Sequence, residues 1–547
     1  MKRFIAMVCG VTATLMLGFS SLHATVPSAR ANLEFDATSV SLTSPDGNFQ
    51  HLSGAHPDLA FSFNLPRIPD LPPEAGNLEL PTEAARSVNL QLPPGFVGNP
   101  TSIPTCPLEK FYDALVTAAT HCRPSTQVGW VEVHAGNNDG TEEVFTGIYN
   151  LAVGPEAPAR FGFLYLGVPA FISAGVRPDD YGIDSGSKNT PQAVAVLDST
   201  VHLWGVPADP VHDMERAAYG SPVLPFKGGE PPTPSEGELK PFLRNPTSCG
   251  GAATFTAEID SYENPGVFDV VPLDGEADGT PFAFERCQDL HFDPTMSVST
   301  TSASADSPTG LAVDINVPQN EAPYGRSTSD VRKVVTTLPA GMSVSDSSAQ
   351  GLGACSTSQI GIGTNDAPTC PDSAKIGTVK IDTPLLDEEL DGGVYLAKQN
   401  ENPFGTTLAL YMAVKGPGFY LKLPGRVDAD PQTGQLTTTF DNTPQLPFEH
   451  LKLELKAGSR APLTTPRKCG TYAVKSEIVP WSGTAPVQTE SSFEVSGGCG
   501  GGFSPHLKAG TSDPAAGKSS PFTLQVTRED GEQNLAALDV TLPEGLL

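Results

Sequence analysis

Positive charge is scarce in this chain. Against 62 Asp and Glu, its 547 residues include only 33 Lys and Arg, for a formal net charge of −29 at pH 7. Such a surface repels nucleic acid and anionic lipid, which argues against binding modes built on neutralising phosphates. Long apolar runs are also missing. Beyond residue 31 nothing approaches the roughly 20 apolar residues a spanning helix needs. Catalytic signatures are absent too: there is no G-x-S-x-G, no H-E-x-x-H and no G-x-x-x-x-G-K. Neither CxxC nor Cys/His spacing suited to zinc occurs, and no cofactor is implied.

What is present begins with an export signal. Lys2 and Arg3 precede an uncharged apolar run, Ile5 to Phe19, and small-residue sites follow at Leu22-His23-Ala24 and Ser28-Ala29-Arg30-Ala31. This is the layout of a cleaved secretory leader, assigned to residues 1–31. Its apolar run is too short to span a bilayer. Without Lys2, Arg3 and Arg30 the net charge becomes −32. Gly (54) and Pro (53) are abundant. They favour short strands joined by turns over long helices.

An internal repeat organises the rest. The eight cysteines after the leader fall into two quartets, Cys106, Cys122, Cys249, Cys287 and Cys355, Cys370, Cys469, Cys499, with gaps of 16, 127 and 38 and then 15, 99 and 30. Leu92-Pro93-Pro94-Gly95-Phe96 precedes the first pair of one quartet and Leu338-Pro339-Ala340-Gly341-Met342 that of the other. Val128-Gly129-Trp130 matches Ile376-Gly377-Thr378, and Gly147-Ile148-Tyr149 matches Gly393-Val394-Tyr395. A third copy starts near residue 501 and reaches Leu542-Pro543-Glu544-Gly545. It is read as the truncated start of a further unit, so the chain is expected to be a fragment or the product of a truncated reading frame.

Apolar residues alternate with small or polar ones in Leu59–Leu65, Leu311–Val317 and Leu451–Leu455, the mark of half-buried antiparallel strands. Turn residues recur between such runs. The fold class is therefore all-β: tandem antiparallel β-sandwich, Ig-like modules, with one short helix between paired cysteines. That helix is placed at Pro107–Ala119, with a shorter, Gly-broken counterpart at Ser356–Ile362. In Leu-Pro-x-Gly, Pro sets the first corner of a type II turn and Gly accepts the positive φ of the second. The expected modules are 32–135 and 136–289, the latter with a Pro-rich insertion at about 206–240, then 290–382 and 383–500. Residues 501–547 begin a third unit.

Thiols exported from the cytosol oxidise. Pairing Cys106 with Cys122, Cys249 with Cys287, Cys355 with Cys370 and Cys469 with Cys499 keeps each bridge inside one module, and a cross-module pairing is the competitor. Few other residues suggest chemistry. Ser185-Gly186-Ser187-Lys188 fits S-x-x-K but lacks the helix start that motif needs. His202, His212 and His450 do not repeat between units and read as surface or loop histidines. Asp428-Ala429-Asp430-Pro431-Gln432-Thr433-Gly434 is the best calcium candidate, weighed against a plain Asp-rich hairpin turn.

The strings Thr433–Phe440, Pro444–Phe448, Cys370–Gly377 and Pro480-Trp481-Ser482-Gly483 resemble long, uncharacterised secreted repeat proteins of soil actinobacteria. That resemblance implies export and repetition and supplies no activity or site. The expectation is a non-enzymatic structural or adhesion scaffold, extracellular or at the cell surface. Its partner would be an extracellular protein or glycan, with no nucleic acid and no membrane span after leader removal. The alternatives are a secreted carbohydrate-active hydrolase, resting on an unlocated carboxylate pair, and a calcium-dependent binding module.

Overall fold

The computed structural model describes residues 33–546 apart from 70–77, 118–121, 138–139, 166, 193, 220–230, 346–350, 500–502, 530–531, 534 and 536. The leader expected at 1–31 lies outside the described residues. In the first unit the strands are β1 (Ala37–Thr43), β2 (Asp58–Asn64), β3 (Ala85–Gln91), β4 (Val97–Gly98), β5 (Gln127–Asn137), β6 (Gly140–Leu151), β7 (Ala159–Tyr165), β8 (Val168–Val176), β9 (Ile183–Lys188), β10 (Ala195–Leu203), β11 (Leu243–Arg244), β12 (Phe255–Ser261) and β13 (Asp269–Leu273). In the second they are β14 (Thr295–Thr300), β15 (Pro308–Thr309), β16 (Leu311–Asn316), β17 (Val331–Thr337), β18 (Ser343–Val344), β19 (Lys375–Asp382), β20 (Leu390–Leu396), β21 (Ala409–Gly416), β22 (Phe419–Ala429), β23 (Leu436–Asp441), β24 (His450–Leu455), β25 (Leu463–Thr464), β26 (Gly470–Pro480) and β27 (Val487–Val495). The protein is all-β and its paired strands are antiparallel.

Each unit is built on one 11-stranded sheet, and the two sheets share a topology. The first runs β1-β2-β10-β5-β6-β7-β8-β9-β3-β12-β13, the second β14-β16-β24-β19-β20-β21-β22-β23-β17-β26-β27. Element by element the orders coincide. The short β4–β11 pair of the first unit likewise has its counterpart in β18–β25 of the second. This corrects the expected division of each unit into two modules. The boundaries at 135 and 382 fall within or at the end of strands in the middle of a sheet, because β5 pairs with β10 and β6, and β19 with β24 and β20. Local alternation identifies strands but carries no information on pairing partners so far apart in the chain.

The sheet rolls so that its two halves face each other across one core. Phe61 and Phe63 from β2, Leu90 from β3, Phe161 from β7 and Phe255 from β12 belong to a single buried cluster in the first unit. The outermost strands meet. Phe35 N–H donates to Asp269 Oδ2 at 2.9 Å beside the β1 edge, and in the second unit Val298 N–H donates to Ser491 Oγ at 2.9 Å. These side chains occupy edge groups that would otherwise invite another strand.

Repeated residues have repeated jobs. Gly95, Gly341 and Gly545 have φ of 90°, 88° and 89°, and the residue after each donates its N–H to the carbonyl of Pro93, Pro339 or Pro543. Leu92 and Leu338 just before these turns are buried. Gly129 and Gly377 sit where the strand register shifts. A Cβ would come within 1.9 Å of the His202 carbonyl oxygen in one case and 2.5 Å of the Glu454 oxygen in the other. Tyr262 donates from its hydroxyl to Thr190 O at 2.8 Å, and Trp481 from Nε1 to Thr443 O at 3.0 Å, at matching places in the two sheets.

Disulfides join Cys106 to Cys122, Cys249 to Cys287, Cys355 to Cys370 and Cys469 to Cys499. The helix expected inside the first cysteine pair is α1 (Leu108–Thr117). Its Phe111 packs on that disulfide with Tyr149, Leu151 and Leu164. The insertion is not structureless. It carries α2 (Asp213–Tyr219), anchored by a buried Arg216 that donates to Pro207 O, Thr233 O and Asp213 Oδ1 and lies over the Trp204 ring. One short helix held by a cation has no apolar period to read. In the second unit α3 (Thr357–Ile360) is shorter, opened by a Ser356/Gln359 capping box and closed by Gly361 at φ 62°. After residue 503, a hairpin of β28 (His506–Thr511) and β29 (Phe522–Thr527) repeats the β1–β2 and β14–β16 pairing.

Candidate functional site

The units are joined by a polar seam with a buried centre. Arg244 of β11 donates from Nη1 to Asp330 Oδ1 at 3.1 Å and from Nη2 to Asp330 Oδ2 at 2.8 Å. The two side chains are 7% and 1% exposed. Thr247 Oγ1 donates to Asp330 Oδ2 at 3.2 Å. Around this centre Arg326 donates to Ser53 O and Arg286 O at 2.8 and 2.7 Å, and Ser327 N–H donates to Gly54 O. Tyr181 donates to Lys422 O at 2.7 Å and Thr101 to Pro384 O at 2.7 Å. A buried, bidentate pair fixes direction as well as distance. In the second unit the place of Arg244 is taken by Thr464, so the pair is not part of the repeat and repeat matching could not find it.

A second cluster lies on the outer face of the first sheet. Val131 and Val133 point inward from β5, so Glu132 and His134 point outward. Glu143 stands opposite His134 on β6, and Asp198 of β10 flanks it on the other side. His134 Nε2 lies 3.5 Å from Glu132 and 3.4 Å from Glu143, and Nδ1 bonds to Asp198. Burial alone would lower the imidazole pKa. The bond to Asp198 and the surrounding carboxylates outweigh it, and the net pKa is raised. Burial, then Glu143, raises Glu132. Ligand atoms of Glu132, His134 and Glu143 lie within 4.8 Å of one another. That donor set could hold a cation, but cross-strand pairing of an imidazolium with carboxylates accounts for the arrangement as it stands.

The third feature is apolar. A chamber of about 590 Å³ runs from the inside of the second sheet into the first unit, walled by Leu, Val, Ile, Met and Phe side chains of β16, β17 and β19–β24 and by Gly98, Pro100, Phe161, Val176 and Phe242 of the first unit. Hydrocarbon filling that volume would contribute on the order of 14 kcal/mol at about 24 cal/mol per Å³. That matches the whole stability of an ordinary domain, about 5–15 kcal/mol. A second space of about 160 Å³ lies inside the first sheet. Leu92, Ser185, Leu203 and Leu243 line both spaces.

The residues singled out from sequence are scattered by comparison. Ser185 and Lys188 lie on strand β9 rather than at a helix start. Asp430 Oδ1 accepts from Gln432 N–H, Thr433 N–H and Thr433 Oγ1 at 2.7–2.9 Å, and those bonds, the Thr433 N–H first, hold its carboxyl below the ordinary range. Asp428 pairs with Arg426 at 2.9 Å. The calcium candidate is a self-bonded hairpin turn. The histidine expectation is corrected. His212 is buried, stacked on Trp204 and close to Glu215 and Asp58. His202 stacks on Trp130 at 3.8 Å, and burial pushes it down to about 4. Both gain aromatic partners brought from distant strands or from the insertion.

No family model matches the chain, and no curated protein does. Among solved structures, it aligns with the C-terminal domain of the Streptococcus agalactiae AgI/II polypeptide BspA at 8% identity and a TM-score of 0.18, covering 84% of this chain and 100% of that one. A putative membrane anchored protein from Corynebacterium diphtheriae aligns at 10% identity and TM-score 0.18, over 84% and 95%. The C-terminal domain of the Streptococcus pyogenes antigen I/II-family protein AspA gives 9% and 0.17, over 85% and 100%. Values this low transfer neither fold nor role. Among the described residues no helix is long and apolar enough to cross a membrane.

Proposed function

We propose that this is an exported repeat scaffold, acting outside the cell or at its surface without catalysing a reaction, and presenting its loops to an extracellular protein or glycan. The observation that carries the reading is the seam: two disulfide-pinned domains of one topology joined through a buried Arg244–Asp330 pair. Duplication lengthens such an array and multiplies its contact sites. A fixed joint keeps those sites in register, which a flexible linker would not. The acidic surface suits export and solubility and disfavours phosphate-rich partners.

The test uses the whole chain. Labelled protein is applied to glycan arrays and intact bacterial cells, and the same preparation is assayed for release of reducing ends from polysaccharides. Saturable binding without release is expected. Polysaccharide cleavage that survives further purification would sink the non-enzymatic reading.

A further inference from the structure

The two domains share a topology but not a core. The strand registers align β2 with β16 and β7 with β21, and so match Phe61 with Val313, Phe63 with Ile315, Phe161 with Leu410 and Phe163 with Met412. Four phenyl rings of the first domain are thus aliphatic side chains in the second. All four replacements line the large chamber. Other exchanges run the opposite way, among them Ser187 to Phe440, Ser199 to Leu451, Ala170 to Leu423 and Val168 to Leu421. Strand alternation orders this interior: on β21, Leu410, Met412 and Val414 face the chamber, while Tyr411 and Ala413 pack on the other side around the Cys355–Cys370 disulfide.

We propose that the second domain's chamber is a binding site for the linear aliphatic chain of an amphiphile such as a fatty acid. Three observations support that occupant. The volume falls in the range of small-molecule sites, about 300–1,000 Å³. The wall is mostly aliphatic, with five phenyl rings such as Phe419 and Phe440 and only Ser, Thr and Gln399 as polar side chains, so a ligand with many buried hydrogen-bonding groups would leave most of them unsatisfied, whereas a hydrocarbon chain has none. The space is extended, since Leu92, Leu203 and Leu243 line this chamber and the smaller one of the first domain alike. A long flexible chain suits such a path better than a compact ring system. The head group then stays at the polar seam or in solvent. This goes beyond the scaffold reading and does not depend on it.

The test is titration of the full chain with cis-parinaric acid, a fluorescent polyene fatty acid, with oleic acid as competitor. Saturable uptake displaced by oleic acid is expected. The filling variant V313F/I315F/L410F/M412F installs rings at positions where the first domain already carries them. It should weaken uptake by at least about tenfold while keeping the native circular dichroism spectrum. If four rings prevent folding, the single variants Leu410→Phe and Met412→Phe should each weaken uptake by a smaller factor. Absence of saturable uptake by the unmodified chain would overturn the proposal. So would unchanged affinity in ring-bearing variants that remain folded, or a site that takes a compact aromatic probe and excludes the fatty acid. Glycan or cell binding that persists in the filling variant would separate this site from the scaffold function.

Discussion

Replacing Asp330 by Ala should loosen the joint between the domains. The carboxylate is 1% exposed, accepts both Nη groups of Arg244 and also accepts from Thr247 Oγ1. Its removal leaves a guanidinium that is 7% exposed, with an Nε that already lacks a hydrogen-bond partner. Breaking a buried pair from one side costs about 3–5 kcal/mol, because the remaining charge stays desolvated. Urea denaturation of Asp330→Ala should therefore show a loss of that order, and small-angle scattering should show a broader distribution of maximum dimensions. The double variant Arg244→Met/Asp330→Leu removes both charges at similar volume and should recover most of the stability. A single variant as stable as the parent, or a double variant no better than the single one, would refute the claim that this pair governs the seam.

Three further outcomes follow from particular residues. Burial holds His56 and His202 down to about 4, below the unfolded value of about 6.5. Their contribution is therefore complete above about pH 6.5 and is lost as the pH falls toward 4, by up to about 3 kcal/mol each at 1.36 kcal/mol per unit. Asp58, raised by burial, offsets part of this. Pulsed hydrogen exchange should show the first domain opening at higher pH than the second, and simultaneous opening would count against it. Gly129→Ala and Gly377→Ala each drive a Cβ into a neighbouring carbonyl and should each cost about 1–3 kcal/mol in thermal or urea unfolding; a neutral result at both would show that the strands yield. Cys355→Ala/Cys370→Ala opens a loop of sequence separation 15 and should cost about 3 kcal/mol on the chain-entropy account, measured by urea midpoint against the oxidised parent.

Much of the local structure is legible in residue order. The alternation in Leu311–Val317 and Leu451–Leu455 marks β16 and β24, and Gly takes the positive-φ corner of each Leu-Pro-x-Gly turn, while the expected first corner is corrected: it is Pro94, Ala340 or Glu544, and the motif's Pro supplies the accepting carbonyl. The helix inside the first cysteine pair is readable from Pro107 and Phe111. By contrast, the helix at Asp213–Tyr219 rests on one buried arginine and the Trp204 ring, and a single tertiary anchor leaves no period. Glu132 and His134 are recognisable as neighbours on one strand face, but Glu143 and Asp198 join them only across hydrogen-bonded strands.

Residue order alone determined which segments become strands, where the chain turns and that the pattern is duplicated, because these depend on periods of two, on φ restrictions and on matched spacing. Only the tertiary structure decided that each duplicate is one rolled 11-stranded sheet, that Arg244 meets Asp330, and that a large apolar chamber opens inside the second sheet and reaches into the first. Those outcomes depend on which distant strands pair and on how summed side-chain volumes fill a closed shell, and neither quantity is local to any stretch of sequence.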